Sequence, residues 1–149
     1  MLKEVPIKFR MARSDDIEEI LAIDEASFPK AWSKEFLEYK MKFKSFFLLV
    51  GVIDDKIITY IAADLSNKET DIIRLAVAPD MRRCGIAEQI CRKFIDNLKK
   101  TKLSDKLWLY IRESNIAAIK LYEKLGFEHV ATDKGYYYEE DALVMRKIL

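Results

Sequence analysis

The run Leu75-Ala76-Val77-Ala78-Pro79-Asp80-Met81-Arg82-Arg83-Cys84-Gly85-Ile86-Ala87 constrains the fold more than any other part of the chain. An apolar strand feeds a tight polar turn, and the turn opens a long segment with helical apolar spacing. Gly85 and Ala87 leave the backbone of the turn bare, so a ligand reaches its N–H groups. Arg82 and Arg83 flank them. A helix start offers unpaired N–H donors and the positive end of a dipole, which together hold phosphate. The pattern is not a P-loop, because no Gly-Lys-Ser/Thr follows, and the dinucleotide pattern Gly-x-Gly-x-x-Gly is missing. Taken alone, such a loop reads equally as an ordinary turn or as a diphosphate site.

The chain of 149 residues reads as one domain, long enough to bury about two-thirds of its unfolded surface. Its formal net charge is +1, so no global basic field advertises nucleic acid. The longest apolar run, Phe46 to Ile53, is far short of the roughly 20 residues a membrane span needs. The start, Met1-Leu2-Lys3-Glu4-Val5-Pro6, lacks the apolar stretch of a signal peptide, and the expected compartment is the cytosol. Cys84 and Cys91 fall on one expected helix, seven residues or about 10 Å apart along its axis, too far for a disulfide. Two thiols and one histidine give no metal-site spacing, so no metal is expected.

The patterning predicts a strand over 7–11, a helix capped by Ser14 and ending near Phe28-Pro29, and a short helix capped by Ser33. Strands follow over 46–53 and 57–65, joined by Asp54-Asp55-Lys56, and over 71–78. A helix spans 84–100, a strand 107–112, and a further helix runs from Ser114 or Asn115 to Gly126. Strands over 127–132 and 142–148 complete the chain. The order β-α-α-β-β-β-α-β-α-β-β is an α/β pattern with a mixed sheet and helices on both faces.

A second block, Ile111-Arg112-Glu113-Ser114-Asn115-Ile116-Ala117-Ala118-Ile119-Lys120-Leu121-Tyr122-Glu123-Lys124-Leu125-Gly126-Phe127, lies downstream of the glycine loop. Together with Arg82-Arg83-Cys84-Gly85-Ile86-Ala87 it resembles the GNAT superfamily of acetyl-CoA-dependent N-acetyltransferases, over residues 7–149. Phe28-Pro29 with Trp32-Ser33, Leu75-Ala76-Val77, Ser114-Asn115 with Tyr122, and Gly135-Tyr136-Tyr137 followed by Glu140-Asp141-Ala142-Leu143-Val144-Met145 resemble the branch that acetylates protein amino termini. That branch includes ribosomal-protein-alanine acetyltransferases and NatA-type catalytic subunits. The resemblance implies a mostly antiparallel central sheet of about seven strands with four helices on both faces. It implies that Leu75, Ala76 and Val77 align the pantetheine arm of acetyl-CoA and that Arg82, Arg83, Cys84, Gly85, Ile86 and Ala87 hold its diphosphate. Asn115 would bind the cofactor arm, Tyr122 would sit near the thioester sulfur, and Phe28, Pro29, Tyr136 and Tyr137 would line the peptide groove. Partners would be protein or nascent-peptide amino termini, with a ribosome or an auxiliary subunit as further possibilities.

Acetyl transfer needs a neutral amine, donors for the developing oxyanion and a proton for the leaving thiolate. A backbone N–H near Val77 is a candidate oxyanion donor. Tyr122, a phenol with an ordinary pKa near 10, is a candidate acid. Where the bacterial relatives carry Glu and several eukaryotic ones His, this chain has Tyr110, a poor base at neutral pH. Glu25 and Glu140 are candidate bases acting through water, each with the alternative of being a plain surface acid. His129 reads as an edge residue, Trp32 and Trp108 as core, and the run Lys99-Lys100-Thr101-Lys102 as a solvated helix end. The function expected is acetyl transfer to α-amino groups by direct attack. Two alternatives remain at this point: a lysine or polyamine acceptor, and a non-catalytic CoA-binding module.

Overall fold

A computed structural model describes residues 6–149. The reading of the start as lacking a signal peptide rests on residues 1–5 and lies outside the described residues. The elements are β1 (Lys8–Met11), α1 (Ile17–Ser27), α2 (Lys34–Lys40), β2 (Phe46–Ile53), β3 (Lys56–Ser66), β4 (Glu69–Val77), α3 (Ile86–Thr101), β5 (Lys106–Arg112), α4 (Ile116–Lys124), β6 (Glu128–Asp133) and β7 (Ala142–Ile148). Single 3-10 turns, Ser14–Asp16 and Pro79–Met81, precede α1 and α3. The element order is the one the sequence pattern gives.

The seven strands form one sheet in the order β1-β2-β3-β4-β5-β7-β6, and every neighbouring pair is antiparallel except β4 with β5. Two hairpins build its first half. Asp54 and Asp55 close one and Asn67 and Lys68 the other, each pair with two successive positive φ values. That is the type I′ geometry, whose twist matches right-twisted strands. The sequence reading marked only the first turn.

Successive residues of a strand face opposite sides of the sheet, and here both sides are covered. Leu49, Ile61 and Ala63 pack with Ile90, Phe94 and Leu98 of α3 and with Tyr122 of α4. Leu48, Val50, Tyr60 and Ala62 pack with Ile17, Ile20 and Ile23 of α1 and Leu37 of α2. Side chains that alternate along β2 and β3 therefore enter different cores. The four helices are divided two to a face.

Two local readings change. The start of α1 is not capped by Ser14. Asp16 takes the backbone N–H of Arg13 at 2.7 Å and is paired with Arg10 at 2.6 Å, so the longer acid displaces the serine as the organiser of this turn. Both contacts hold the Asp16 carboxyl below its ordinary range, with the Arg10 hydrogen bond the larger cause. Cys84 does not lie on α3. It is exposed in the loop before the helix, because Gly85 at φ 73° forms the N-cap and helical backbone begins at Ile86.

Phe94 is 1% exposed and meets Phe47 edge-on with centroids 5.8 Å apart. Replacing it removes a ring from the core shared by β2, β3, β5 and α3. Phe94→Ala should cost about 3–5 kcal/mol, read as a lowered urea midpoint at unchanged slope.

Candidate active site

The site begins with a fault in the sheet. β4 and β5 are paired only from Glu69↔Lys106 to Ile72↔Leu109. Beyond that point β4 stays with β3, as far as Val77↔Thr59, while β5 stays with β7, as far as Arg112↔Ala142. At the fork the β3–β4 register shifts: Ala63 faces Ile72 and Ala62 faces Arg74, which leaves Ile73 as an extra residue. A bulge of this kind bends its strand and adds twist, and here it turns β4 away from β5.

The fork leaves backbone edges unpaired. Ala78 donates to Ile58 O at 2.8 Å, so alternation along the ladder gives Ala76 to β3 and turns Val77 and Leu75 toward the opening. A cleft of about 730 Å³ fills the gap, lined by Leu75, Ala76 and Val77 on one wall and Leu109, Tyr110 and Ile111 on the other. This opening, expected near Val77, lies directly above the bulge.

The start of α3 forms one end of the cleft, through Arg83, Gly85, Ile86, Ala87 and Glu88. Ser33 caps α2 and Asn115 caps α4, but no side chain caps α3. Its first N–H groups therefore lack the capping partner that α2 and α4 have, and they carry the positive end of the dipole. At Gly85 a Cβ would meet nothing within 4 Å, so the space before these groups is open. The two arginines take different parts. Arg82 donates from Nε to Val77 O at 3.1 Å and from Nη2 to Ser27 Oγ at 3.0 Å, tying the loop to the last residue of α1. Arg83, at φ 64°, makes no hydrogen bond or ion pair among the described residues. Cys84 follows Arg83 and does not line the cleft.

Tyr122 projects from α4 into the inner end of the cleft and is 6% exposed. Its hydroxyl lies against Cys91. Burial first, and Cys91 second, raise the phenol well above its ordinary value, so it stays protonated across neutral pH. Burial likewise pushes the Cys91 thiol up to about 12. Asn115 also lines the cleft, where its side chain accepts from Ala118 N at 3.3 Å.

The outer end of the cleft is aromatic. Phe28 lines it from the α1–α2 loop, whereas Pro29 is exposed and does not. Trp32, expected in the core, is half-buried in the same loop. Tyr110, 47% exposed, stacks on Tyr136 at 4.9 Å, and Tyr136 meets Tyr137 edge-on at 4.8 Å. Those two tyrosines form an outer shelf rather than the cleft wall. The shelf hangs from Arg112, whose guanidinium lies 4.2 Å from the Tyr137 ring and is paired with Glu139 and Glu140.

The candidate bases sit away from the fork. Glu25 is exposed on α1 and does not line the cleft. Glu140 accepts from Ser114 Oγ at 2.7 Å and Ser114 N at 3.1 Å, contacts that hold its carboxyl below the ordinary range. It fastens the tyrosine shelf to the start of α4. The one acid that lines the cleft among the described residues, Glu88, is bound by Lys124 at 2.7 Å and Arg92 at 3.0 Å. His129 is exposed and pairs with Thr132. Sequence reasoning missed Ile73, Asp24, Arg74 and Arg112. A single residue that breaks strand alternation is the signal for Ile73. The signal for Asp24 is an acid placed on the apolar face of α1, one residue before Glu25. No cluster of metal-ligating side chains occurs among the described residues.

A forked sheet with an uncapped helix at the fork offers a place for an extended ligand that ends in phosphate. Residues 17–127 match the acetyltransferase (GNAT) family, and the chain belongs to that family. An N-alpha-acetyltransferase from Saccharolobus solfataricus is 31% identical over 94% of this chain and 92% of its own length. The crystal structure of the ribosomal-protein-S18-alanine N-acetyltransferase from Escherichia coli superposes with a TM-score of 0.88 and 25% identity, covering 96% of this chain and 94% of that one. Ard1 from Thermoplasma volcanium shares the fold, with a TM-score of 0.87 and 23% identity over 97% of this chain and 99% of that one.

The two arginines make a contrast that calorimetry reads directly. Arg83→Gln should weaken coenzyme A binding by roughly ten-fold or more, the worth of one charge-assisted contact, and Arg82→Gln by much less. Equal losses in the two variants would show that Arg82 leaves Ser27 to bind phosphate.

Proposed function

We propose that this chain transfers acetyl from acetyl-CoA to the α-amino group of protein amino termini. Bound acetyl-CoA supplies an acyl group activated as a thioester. The uncapped N–H groups of Gly85 to Glu88 and the Arg83 side chain would hold its diphosphate, which fits the open space at Gly85. The free edge at Leu75 and Val77 would take the amides of the pantetheine arm. The Val77 N–H would face negative charge as it gathers on the carbonyl oxygen. Tyr122, kept protonated by burial, would donate to sulfur, and Asn115 would contact the arm. In the balanced reaction a carbon–sulfur bond breaks, a carbon–nitrogen bond forms, and one proton passes from nitrogen to sulfur.

The observation that carries the choice of acceptor is the lack of a free base at the fork. Among the described residues Glu88 is the only acid lining the cleft and is already bound by two cations, and no histidine lines it. An acceptor at such a site has to arrive neutral. An α-amine with a pKa of about 7.7–8.0 is roughly one-fifth neutral near pH 7.3, whereas a lysine is neutral in about one molecule per thousand. The relatives named N-alpha-acetyltransferase support the same acceptor. Direct transfer is favoured over a Cys84 acyl-enzyme, since Cys84 stands outside the cleft with no base beside it. Two free thiols suit a reducing compartment, and we place the activity in the cytosol.

Rates on one short peptide with a free or a blocked amino terminus test the acceptor. The free form should be acetylated, with kcat/KM rising with pH and levelling above about 8 as the α-amine loses its proton. A rate that survives blocking and climbs toward about pH 10 would instead identify a lysine acceptor. Tyr122→Phe should lower kcat by roughly a hundred-fold with peptide KM little changed. Full activity of a folded Tyr122→Phe enzyme would remove the phenol from the proton path.

A further inference from the structure

We propose that Arg74 and Asp24 are positioning residues that fix the acceptor-side jaw, residues 28–33, and thereby set which amino termini are acetylated. The proposal rests on the acetyl-transfer reading of the same cleft. Asp24 sits in the last turn of α1 and is 0% exposed. Its carboxylate accepts from Tyr60 Oη, from Trp32 N at 2.7 Å, and from Arg74 Nη1 at 2.7 and 2.8 Å to its two oxygens. The other guanidinium nitrogen, Nη2, donates to Lys30 O at 2.8 Å. The guanidinium lies between two rings, 4.5 Å from the Phe28 centroid and 4.6 Å from that of Trp32.

Where these contacts go is the point. An ion pair that served only the core would end on core groups, and apolar residues often replace such pairs at no loss. Here one partner, Tyr60, is a core group, and the others are the backbone of Lys30 and Trp32 and the rings of Phe28 and Trp32, all in the α1–α2 loop. Among the described residues that loop has no backbone–backbone hydrogen bond over 29–32, so these contacts are what shape it. Arg74 follows the bulge residue Ile73 on β4, and Arg74, Phe28 and Ser27 all line the cleft. One side chain thus joins the strand that receives the acyl donor to the jaw that meets the acceptor. A planar cation serves this purpose because it stacks and donates at once, which an ammonium does not.

The test is Arg74→Lys, followed by three measurements on the whole protein. Hydrogen exchange reads the Trp32 amide, calorimetry reads coenzyme A, and steady-state kinetics read peptides whose first residue is Ala, Ser or Met. We expect Trp32 exchange to quicken and peptide KM to rise, each on the order of ten-fold, with the ratio of kcat/KM between best and worst peptide flattened. Coenzyme A affinity should stay within about two-fold, as the contacts broken lie away from α3. Unchanged exchange overturns the proposal, as does quickened exchange with unaltered KM and selectivity. A joint loss of coenzyme A binding and kcat at constant selectivity also overturns it, since that marks a structural role only. Should Arg74→Lys fail to fold, Tyr60→Phe, which removes one donor from Asp24, carries the same measurements. Smaller shifts in the same directions support the clamp, and none overturns it. A wild-type protein that binds coenzyme A but acetylates no α-amino peptide defeats the functional reading and the selectivity claim together. Exchange at Trp32 then decides the clamp alone.

Discussion

The parting of β4 from β5 is the constraint on which the rest of the molecule depends. A sheet interior normally leaves no backbone group without a partner. The extra residue at Ile73 breaks that rule in one place, by bending β4 off its parallel neighbour while β3 holds it from the other side. The exposed edges are neither at the rim of the sheet nor open to pairing by another strand. They face each other across a cleft whose floor is apolar and whose end is a helix start. An extended ligand with amides along its length and phosphate at its end answers each of these demands.

Three arginines surround the opening, and their surroundings separate their tasks. Arg74 is paired with a buried acid and packed between rings. Arg82 spans from the Val77 carbonyl to the end of α1. Arg83 alone is uncommitted, and it stands where the helix dipole already favours an anion. Two of the three cations therefore brace the walls. On the opposite wall Arg112, Glu140 and Ser114 do the same for the tyrosine shelf. The α1–α2 loop thus owes its shape to charged side chains, whereas the tyrosine shelf adds backbone bonds of its own, among them Tyr137 N to Glu140 O at 3.1 Å.

The element order and the glycine loop were legible in the sequence because periodicity and turn chemistry are local. So was the presence of helices on both faces, through the order of strand pairs and α/β crossovers. The fork itself was legible only in outline. A one-residue register shift depends on which strand lies alongside, and within the strand read over 71–78 its one trace is the second of two adjacent isoleucines, Ile73. The roles of charged residues were least legible. Glu25 and Asp24 are neighbours of similar character, yet one points to solvent and the other into the core, a difference set by helix phase against Tyr60 and Arg74. Arg82 and Arg83 differ because backbone conformation changes sign between them, which adjacency in sequence does not reveal. Glu140 reads in the sequence as a candidate base acting through water or as a surface acid, and its contacts with Ser114 depend on a loop fold that the sequence does not reveal.

The brevity of the β4–β5 seam has a mechanical consequence. Four residue pairs are all that stitch the front and back of the sheet together. Continuity between the halves instead resides in the shared apolar filling, where Ile61, Ala63 and Ile72 meet Leu107, Leu109 and Met145 under the roof of α3. The gape of the mouth is accordingly a matter of side-chain volume. Shaving or adding a methyl group at Ile61, Ala63, Leu107 or Met145, none of which lines the cleft, would retune its width from beneath.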